Sequence, residues 1–422
     1  ERIREVMKEN GCNAHVLSSL DDIAWLLNIR GNDIAYCPLV LSYAIVYNNS
    51  VELFADIRKF SDDIINLLAE NQVKIYPYED IYRKVSEMTS EDKLLLDSAI
   101  MNYSLYQAIS KETVIVDKQN PEILMKSVKN ETQAENLRKA HLKDAVAHTK
   151  FMYWLKKNIG RVEITELSAS ARLEGLRAEQ EHFLGPSFGP ISAYGEHGAI
   201  VHYSADEKSN VPLKEGKLFM TDTGGHYLEG STDITRTVAL GEVGNIEKEH
   251  FTLVARAMLR LANTVFLYGC SGANLDCIAR EVFWKEGLNF NHGTGHGVGY
   301  LLNIHEGPIN FRWKEGERPA PALEENMVIT DEPGIYIEGS HGIRLENELL
   351  VRKTVKNEYG QFMNFEILTY VPIDLDAILP EKMSTEEKEM LNHYHKQVYE
   401  KVSPYLSEEE RIWLKEYTRA VK

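Results

Sequence analysis

The chain has 422 residues, of which 43% are hydrophobic and 26% are charged. A soluble chain of this length can bury a large core and form two or three domains. Its formal net charge of −17 argues against nucleic acid and anionic membranes as partners, because both require a basic face. The most apolar stretch, residues 38–47, is as long as a buried strand, so no membrane span is predicted.

The chain contains four cysteines and no CxxC spacing. A disulfide framework is typical of short secreted chains with a far higher density of cysteine. We therefore expect reduced thiols and a cytoplasmic location.

Residues 1–125 are predicted to form an alternating α/β domain. Ile3 and Met7 mark the apolar face of a first helix, which ends near Gly11. Apolar runs at 39–47 and 51–56 predict a hairpin, because polar turn residues separate them. The sequence shows no cluster of catalytic residue types in this domain.

Residues 126–375 are predicted to form a second domain in two similar halves. Thr132 and Glu135 have the spacing of a capping box that opens a long helix running to about residue 158. Further helices are predicted at 165–180, 246–267 and 275–286. Each half therefore consists of two helices followed by strands, which suggests α/β halves related by a pseudo-twofold axis.

Residues 376–422 are charged and have a helical period. Tyr394 and Trp413 lie on apolar faces that could dock against the rest of the chain. We interpret this segment as a C-terminal helical extension without chemistry of its own.

The candidate functional carboxylates lie in two regions that are predicted to form strands. In residues 218–240, an apolar run ends at Asp222 and the return strand carries Asp233. In residues 327–351, a similar run ends before a turn at Glu332, and Glu346 is predicted on the neighbouring strand. Both regions share an apolar triplet, a Thr-Asp pair and a glycine turn. Between them, a glycine-rich stretch places His296 in a constrained loop or strand end.

The convergence of four carboxylates and one imidazole predicts a pair of divalent metal ions. Carboxylates held together in a buried sheet repel one another and take up protons unless cations are present. Oxygen-rich sites with one imidazole suit Mn²⁺ and its first-row neighbours. Mn²⁺ is therefore the preferred prediction, with Zn²⁺, Co²⁺ and Fe²⁺ as alternatives.

The sequence resembles the pita-bread metallopeptidases, most closely the cytosolic type of aminopeptidase P. The resemblance covers nearly the whole chain and fills all five of that family's metal-ligand positions. It implies an α/β (α+β) fold, with a pita-bread catalytic domain preceded by an α/β creatinase-like domain. The stretches that carry it are 22–34, 140–147, 189–205, 292–308, 328–347 and 368–375.

The resemblance also implies metal-ligand roles. Asp233 and Glu346 would bridge two ions, Asp222 would bind one ion, and His296 with Glu332 would bind the other. A water between the ions would become a metal-bridging hydroxide that attacks the scissile carbonyl. Glu332 would also shuttle protons.

Four further residues are predicted at the site. His202, His292 and His305 match the family's additional active-site histidines, which are expected to hold the substrate carbonyl and move protons. Arg344 lies two residues before Glu346 and so faces the same side of its strand. Pairing with a ligand carboxylate such as Asp222 is its expected role.

The predicted function is a dinuclear metal aminopeptidase that hydrolyses the N-terminal Xaa-Pro bond of peptides whose second residue is proline. The resemblance further implies a homodimer. Two alternatives remain: a prolidase acting on Xaa-Pro dipeptides, and a metal-free pita-bread binding module. Full retention of the five ligands argues against the binding module.

One motif predicts a different enzyme class. Residues 185–189 fit G-x-S-x-G, the nucleophile elbow of serine hydrolases, with Ser187 as nucleophile. The elbow requires a helix directly after the serine, whereas Pro190 and an extended stretch follow here. We therefore expect Ser187 to have no nucleophilic role.

Overall fold

The computed structural model describes residues 1–314, 316 and 318–422. The chain divides into two compact units, Glu1–Lys126 and Ser127–Lys422. Among the described residues, no helix combines the length and apolar character needed to cross a membrane.

The first unit is built on one six-stranded mixed sheet, in the order β4-β3-β2-β1-β5-β6. Its strands are β1 (Ala14–Leu17), β2 (Ser42–Tyr47), β3 (Val51–Ala55), β4 (Val73–Tyr76), β5 (Lys93–Leu96) and β6 (Val114–Asp117). Its helices are α1 (Arg2–Glu9), α2 (Leu20–Leu27), α3 (Asp62–Glu70), α4 (Asp80–Ser86), α5 (Tyr103–Ala108) and α6 (Pro121–Ser127).

Both faces of this sheet are covered. Successive residues of one strand, such as Val16 and Leu17, belong to two separate apolar clusters. Because side chains alternate across a strand, helices must pack on both sides. The predicted hairpin is confirmed, since β2 pairs antiparallel with β3 and Val46 faces Val51.

Four helices flank the strands of the second unit: α7 (Glu131–Asn158), α8 (Glu166–Ala178), α9 (Asn245–Ala262) and α10 (Gly272–Trp284). The capping box of α7 differs from the prediction. The side chain of Asn130 accepts from the backbone N–H of Gln133, and the side chain of Gln133 accepts from the N–H of Asn130. Assignment of the box to Thr132 and Glu135 was wrong, because the helix begins earlier and both residues lie within it.

The strands of the second unit form several sheets, including a six-stranded one in the order β13-β20-β19-β16-β14-β15. The strands of the first half are β7 (Phe183–Pro186), β8 (Ile191–Tyr194), β9 (Lys217–Thr223), β10 (Gly225–Tyr227), β11 (Gly230–Ser231) and β12 (Ile234–Leu240). Those of the second half are β13 (Phe266–Leu267), β14 (Gly295–Gly297), β15 (Glu306–Phe311), β16 (Val328–Asp331), β17 (Gly334–Ile337), β18 (His341–Arg344), β19 (Asn347–Asn357) and β20 (Gly360–Ile367).

The same arrangement occurs in both halves. A longer antiparallel pair, β9 with β12 or β16 with β19, is interrupted by a short hairpin, β10–β11 or β17–β18. Glu332 and Glu346 therefore lie in the gaps between these strands, rather than within two neighbouring strands as predicted. Asp233, predicted on the return strand of the first half, likewise lies in the gap between β11 and β12. Pro333 has no N–H to continue the ladder, and the N–H of Glu346 bonds to Thr235 of the first half.

The C-terminal segment forms α11 (Thr385–Val402) and α12 (Glu408–Tyr417) within the second unit. The fully buried Arg236 joins this segment to both halves. Its guanidinium donates to the carbonyls of Glu346 and Val371, at 2.5 and 2.8 Å. It also donates to Asn347 Oδ1 and Tyr394 Oη, both at 2.8 Å.

We expect Arg236→Lys to lower the free energy of unfolding by about 2–4 kcal/mol, because one ammonium cannot reach all of these buried acceptors. Tyr394→Phe, the matched control, should cost only about 1 kcal/mol. Urea unfolding of the chelated proteins measures both changes. Equal stabilities for the two variants would contradict the role of Arg236 in joining the C-terminal segment to both halves.

Candidate active site

The second unit contains a cavity of about 410 Å³. All nine residues predicted from the sequence line it, so the structure brings the whole predicted set together. They are His202, Asp222, Asp233, His292, His296, His305, Glu332, Arg344 and Glu346.

Three of the four carboxylates lie at breaks in the strands, and the fourth lies in a strand close to such a break. Asp222 lies near the end of β9, and Asp233 lies in the gap before β12. Glu332 and Glu346 lie in the corresponding gaps of the second half. At these points the backbone leaves one sheet and enters another, which turns the side chains into the cavity.

His296 on β14 faces the carboxylates with its Nε2 atom. This atom lies 3.5 Å from Asp233 Oδ2 and 3.5 Å from Glu332 Oε1. The other ring nitrogen, Nδ1, is 2.9 Å from the carbonyl of Gly297, which can only accept. Nδ1 therefore carries a proton, and Nε2 is the ring nitrogen placed to bind a metal ion beside the carboxylates. Ligand atoms of Asp233, His296 and Glu346 lie within 4.8 Å of one another.

The electrostatics of the cluster show a deficit of positive charge. Burial, followed by repulsion from Asp222 and Glu332, raises the pKa of Asp233 well above its usual range. Burial and repulsion from Asp233 do the same to the pKa of Glu346. Asp222 Oδ1 is buried and has no hydrogen-bond partner in the part of the chain that the structure describes. Two divalent cations would balance the four carboxylates, so the residue set fits such a pair.

Several residues that sequence reasoning missed hold the carboxylates in place. Thr235 donates its hydroxyl to Glu346 Oε2 at 2.7 Å, and Thr330 donates to Glu332 Oε1 at 3.1 Å. Glu348 accepts the backbone N–H of Asp233 at 2.7 Å. The repeated Thr-Asp pair was a signal for Thr330, but nothing in the sequence indicated Glu348.

Arg344 is buried against Asp222, to which its Nε and Nη2 atoms donate. Its Nη1 atom donates to the hydroxyl oxygen of Tyr336 at 2.8 Å. Although burial opposes its charge, Tyr336 and Asp222 hold the pKa of Arg344 well above its usual value. Arg344 is therefore a permanent cation beside a predicted metal ligand.

Tyr336, also missed from the sequence, fixes the ring of His292. Burial raises the pKa of Tyr336 to about 12, so its hydroxyl keeps its proton. The hydroxyl lies 2.8 Å from His292 Nε2, and His292 Nδ1 lies 2.7 Å from the carbonyl of Gly293. Since Arg344 donates to the tyrosine oxygen, the hydroxyl donates to Nε2, and the Nδ1–H donates to the carbonyl. Both ring nitrogens of His292 are thus engaged within the protein.

His305 and His202 face the cavity differently from His292. The rings of His305 and His296 are 4.4 Å apart, and burial, with a further contribution from His296, lowers the pKa of His305. Its imidazole is therefore neutral at neutral pH. His202 is exposed in the cavity wall.

Ser187 does not occupy a nucleophile elbow. It lies between β7 and β8, so no helix follows it, and it is buried. Its hydroxyl donates to the carbonyl of Thr232 at 2.8 Å. The exclusion of a serine nucleophile is therefore supported by the local structure.

Family models match almost the entire chain. The model for metallopeptidase family M24 matches residues 135–353. The Creatinase/Prolidase N-terminal domain matches residues 1–133, and the C-terminal region of peptidase M24 matches residues 361–421.

Individual relatives agree with these matches. Aminopeptidase P1 of Arabidopsis thaliana is 34% identical, over 100% of this chain and 73% of the relative. The crystal structure of X-prolyl aminopeptidase from Caenorhabditis elegans, a cytosolic enzyme with a di-nuclear active site, matches with a TM-score of 0.93 at 34% identity, over 100% of this chain and 70% of that chain. An Xaa-Pro dipeptidase from Bacillus anthracis has a TM-score of 0.69 at 24% identity, over 89% of this chain and 97% of that chain. This match indicates a shared fold.

Asp233→Asn is expected to lower metal content below about two ions per chain while the fold persists, because an amide lacks the charge needed to join two cations. Elemental analysis after Mn²⁺ loading and gel filtration measures this. Asp62→Asn is the matched control, since it is the same acid-to-amide change at an exposed aspartate outside the cavity and should keep full metal content. Full metal content in Asp233→Asn would remove that residue from the ligand set.

Proposed function

The chain belongs to metallopeptidase family M24, and on that premise we propose that it is an Xaa-Pro aminopeptidase that uses two divalent metal ions. The observation that carries the proposal is one cavity that joins a five-residue oxygen-rich donor set to neutral histidines and an apolar wall. The relatives named aminopeptidase P and X-prolyl aminopeptidase support the same reaction. Hydrolysis removes the first residue of a peptide whose second residue is proline.

We assign metal binding to Asp222, Asp233, His296, Glu332 and Glu346. Asp233 and Glu346 are the proposed bridging ligands, because they are the most buried of the four carboxylates, and burial and repulsion from other carboxylates raise the pKa of each. When bound, the ions polarise the scissile carbonyl and lower the pKa of water.

Glu332 is the proposed proton carrier. Its carboxylate is held by Thr330, and its backbone N–H donates to the carbonyl of Thr294 at 2.8 Å. In this position it accepts the proton of the attacking water and delivers it to the proline nitrogen as the bond breaks. A leaving secondary amine needs this proton, since an amide anion is a very poor leaving group.

The histidines have separate proposed roles. Neutral His305 has an N–H to donate to the carbonyl oxygen as negative charge develops there. His202, on the exposed wall, is placed to bind the peptide backbone. His292 has both nitrogens engaged by Tyr336 and Gly293, so it shapes the wall of the cavity.

Selectivity for proline is proposed to come from an apolar part of the cavity wall, formed by Phe188, Ile191, Val201 and Tyr203. The Xaa-Pro bond is a tertiary amide, so its nitrogen needs no acceptor. A residue with an N–H would bury an unpaired donor against this wall and fill it less well.

We further propose Mn²⁺ as the preferred ion, with Zn²⁺, Co²⁺ and Fe²⁺ as alternatives, because oxygen-rich donor sets suit Mn²⁺. A cytoplasmic location is proposed from the four free cysteines and from the cytosolic relative of C. elegans. We also propose that the chain forms a homodimer. Its proposed parts are an α/β domain at 1–125, a catalytic domain at 126–375 and a C-terminal helical extension at 376–422.

The substrate assay compares Gly-Pro-Gly, the dipeptide Gly-Pro and Gly-Ala-Gly at saturating Mn²⁺. We expect first-bond cleavage of Gly-Pro-Gly, with Gly-Ala-Gly slower by a factor on the order of 10². Release of glycine, measured chromatographically, gives kcat/KM for each. A preference for Gly-Pro would assign the chain as a prolidase, and equal rates for the two tripeptides would remove proline selectivity.

His305→Ala is expected to reduce kcat by a factor on the order of 10² to 10⁴, because a donor to the developing oxyanion is lost. Metal content should stay unchanged, since His305 is not an assigned ligand. His182→Ala, an exposed histidine outside the cavity, is the control and should retain normal turnover. Loss of metal in His305→Ala would make that histidine a structural part of the metal centre instead.

A further inference from the structure

Two arginines line the cavity, and they differ in environment. Arg344 is buried and engaged with Asp222 and Tyr336. Arg312 is exposed and makes no hydrogen bond or ion pair with any residue that the structure describes. In a chain with a net charge of −17, a cation at a cavity without an acidic partner among the described residues is an unusual placement.

The backbone around Arg312 is held on both sides. The carbonyl of Phe311, the last residue of β15, accepts from the N–H of Thr294 at 2.8 Å. The N–H of Trp313 donates to Asp276 Oδ2 at 2.8 Å. The Cα of Arg312 is therefore fixed relative to β14, which carries His296.

The side chain of Arg312 packs closely against Gly293, where any larger residue would clash with it. A Cβ at Gly293 would lie 2.9 Å from Arg312 Cγ and 3.0 Å from Arg312 Nε. The stem of the arginine thus packs on the backbone next to His292, and this contact directs the guanidinium along the cavity wall. The stem is therefore supported by the backbone, while the guanidinium has no partner in the part of the chain that the structure describes.

The position of Arg312 defines which part of a peptide it can meet. The ligand carboxylates are mostly buried and form the bottom of the cavity, whereas Arg312 is exposed at its mouth. An aminopeptidase takes the N-terminal residue to the bottom, so residues after the scissile bond extend toward the mouth. A guanidinium repels the amino terminus and attracts a carboxylate.

We propose that Arg312 binds a carboxylate of the substrate on the leaving-group side of the scissile bond. The carboxylate is either the C-terminus of a tripeptide or an acidic side chain at the third position. This inference rests on the proposed function and specifies its substrate class as short or acidic Xaa-Pro peptides. Arg312 is thus a specificity-determining residue.

The test uses three substrates with the manganese-loaded full chain: Gly-Pro-Ala, its C-terminal amide, and the C-terminal amide of Gly-Pro-Asp. The first carries a terminal carboxylate, the second none, and the third only a side-chain carboxylate. We expect kcat/KM for the best carboxylate-bearing substrate to exceed that for Gly-Pro-Ala amide by about tenfold or more. Preference for the free acid assigns the C-terminus, and preference for the aspartyl amide assigns the side chain.

Arg312→Gln should bring the kcat/KM ratios between these substrates close to one. The change should appear in KM, with kcat nearly unchanged, because the lost contact binds the ground state and the transition state equally. Arg312→Lys should keep part of the preference. Lys314→Gln is the matched control: its ammonium lies over the ring of Trp313, 4.6 Å from the centroid, and it does not line the cavity. It should retain the ratios of the parent chain.

Two results would overturn the inference: equal kcat/KM for all three substrates in the parent chain, or an unchanged preference in Arg312→Gln. Failure of the proposed function gives a different pattern, because then the parent chain and every variant would leave Gly-Pro-Ala amide uncleaved. Cleavage of that amide at parent rates by Arg312→Gln shows that the catalytic residues are intact.

Discussion

The repulsion among four carboxylates is the constraint on which the rest of the second unit depends. Asp233 and Glu346 are almost fully buried, and burial together with repulsion from neighbouring carboxylates raises the pKa of each. Left alone, such groups would separate or take up protons. Their positions are fixed instead by the hydroxyl of Thr235, which donates to Glu346, by Glu348, which accepts the N–H of Asp233, and by the cation Arg344 beside Asp222. The arrangement fits a site that is completed by cations.

The fold brings the carboxylates together by interrupting its strands at equivalent points in two halves. Pro333 ends one ladder, and the N–H of Glu346 crosses to Thr235 in the other half. Arg236 then binds the carbonyl of Glu346 and the C-terminal segment through Tyr394. Removing any of these contacts would alter ligand positions as well as stability. Packing and chemistry are therefore coupled through the same few backbone groups.

Much of this could be predicted from the sequence, because the informative residues are local. The Thr-Asp pairs after apolar runs and the glycine-rich stretch at His296 indicated carboxylates and an imidazole at strand ends. The predicted placement of Glu332 and Glu346 within strands failed at the gaps, where pairing changes from one sheet to another. The prediction of the cap of α7 also failed, because two cap patterns overlap there and the structure uses the one at Asn130 and Gln133.

The roles of Tyr336, Glu348 and Arg312 could not be predicted. Glu348 acts on Asp233 across 115 positions of the sequence, and no local pattern indicates such a contact. Tyr336 resembles any strand tyrosine until its contacts with His292 and Arg344 are known. Arg312 is distinguished by what it does not touch among the described residues, together with the open surface at Gly293. Contacts between residues distant in sequence, and charged groups without a partner among the described residues, become visible only in the folded chain.

Calorimetric titration of the chelated chain with Mn²⁺, in buffers of different ionisation enthalpy at neutral pH, tests the central claim most directly. Because the pKa values of Asp233 and Glu346 are raised in the metal-free site, ion binding must displace protons. The account predicts release of roughly one proton or more per chain as two ions bind, with less release in Asp233→Asn. Binding heats that are independent of the buffer, with no proton released, would contradict the claim that cations relieve carboxylate repulsion.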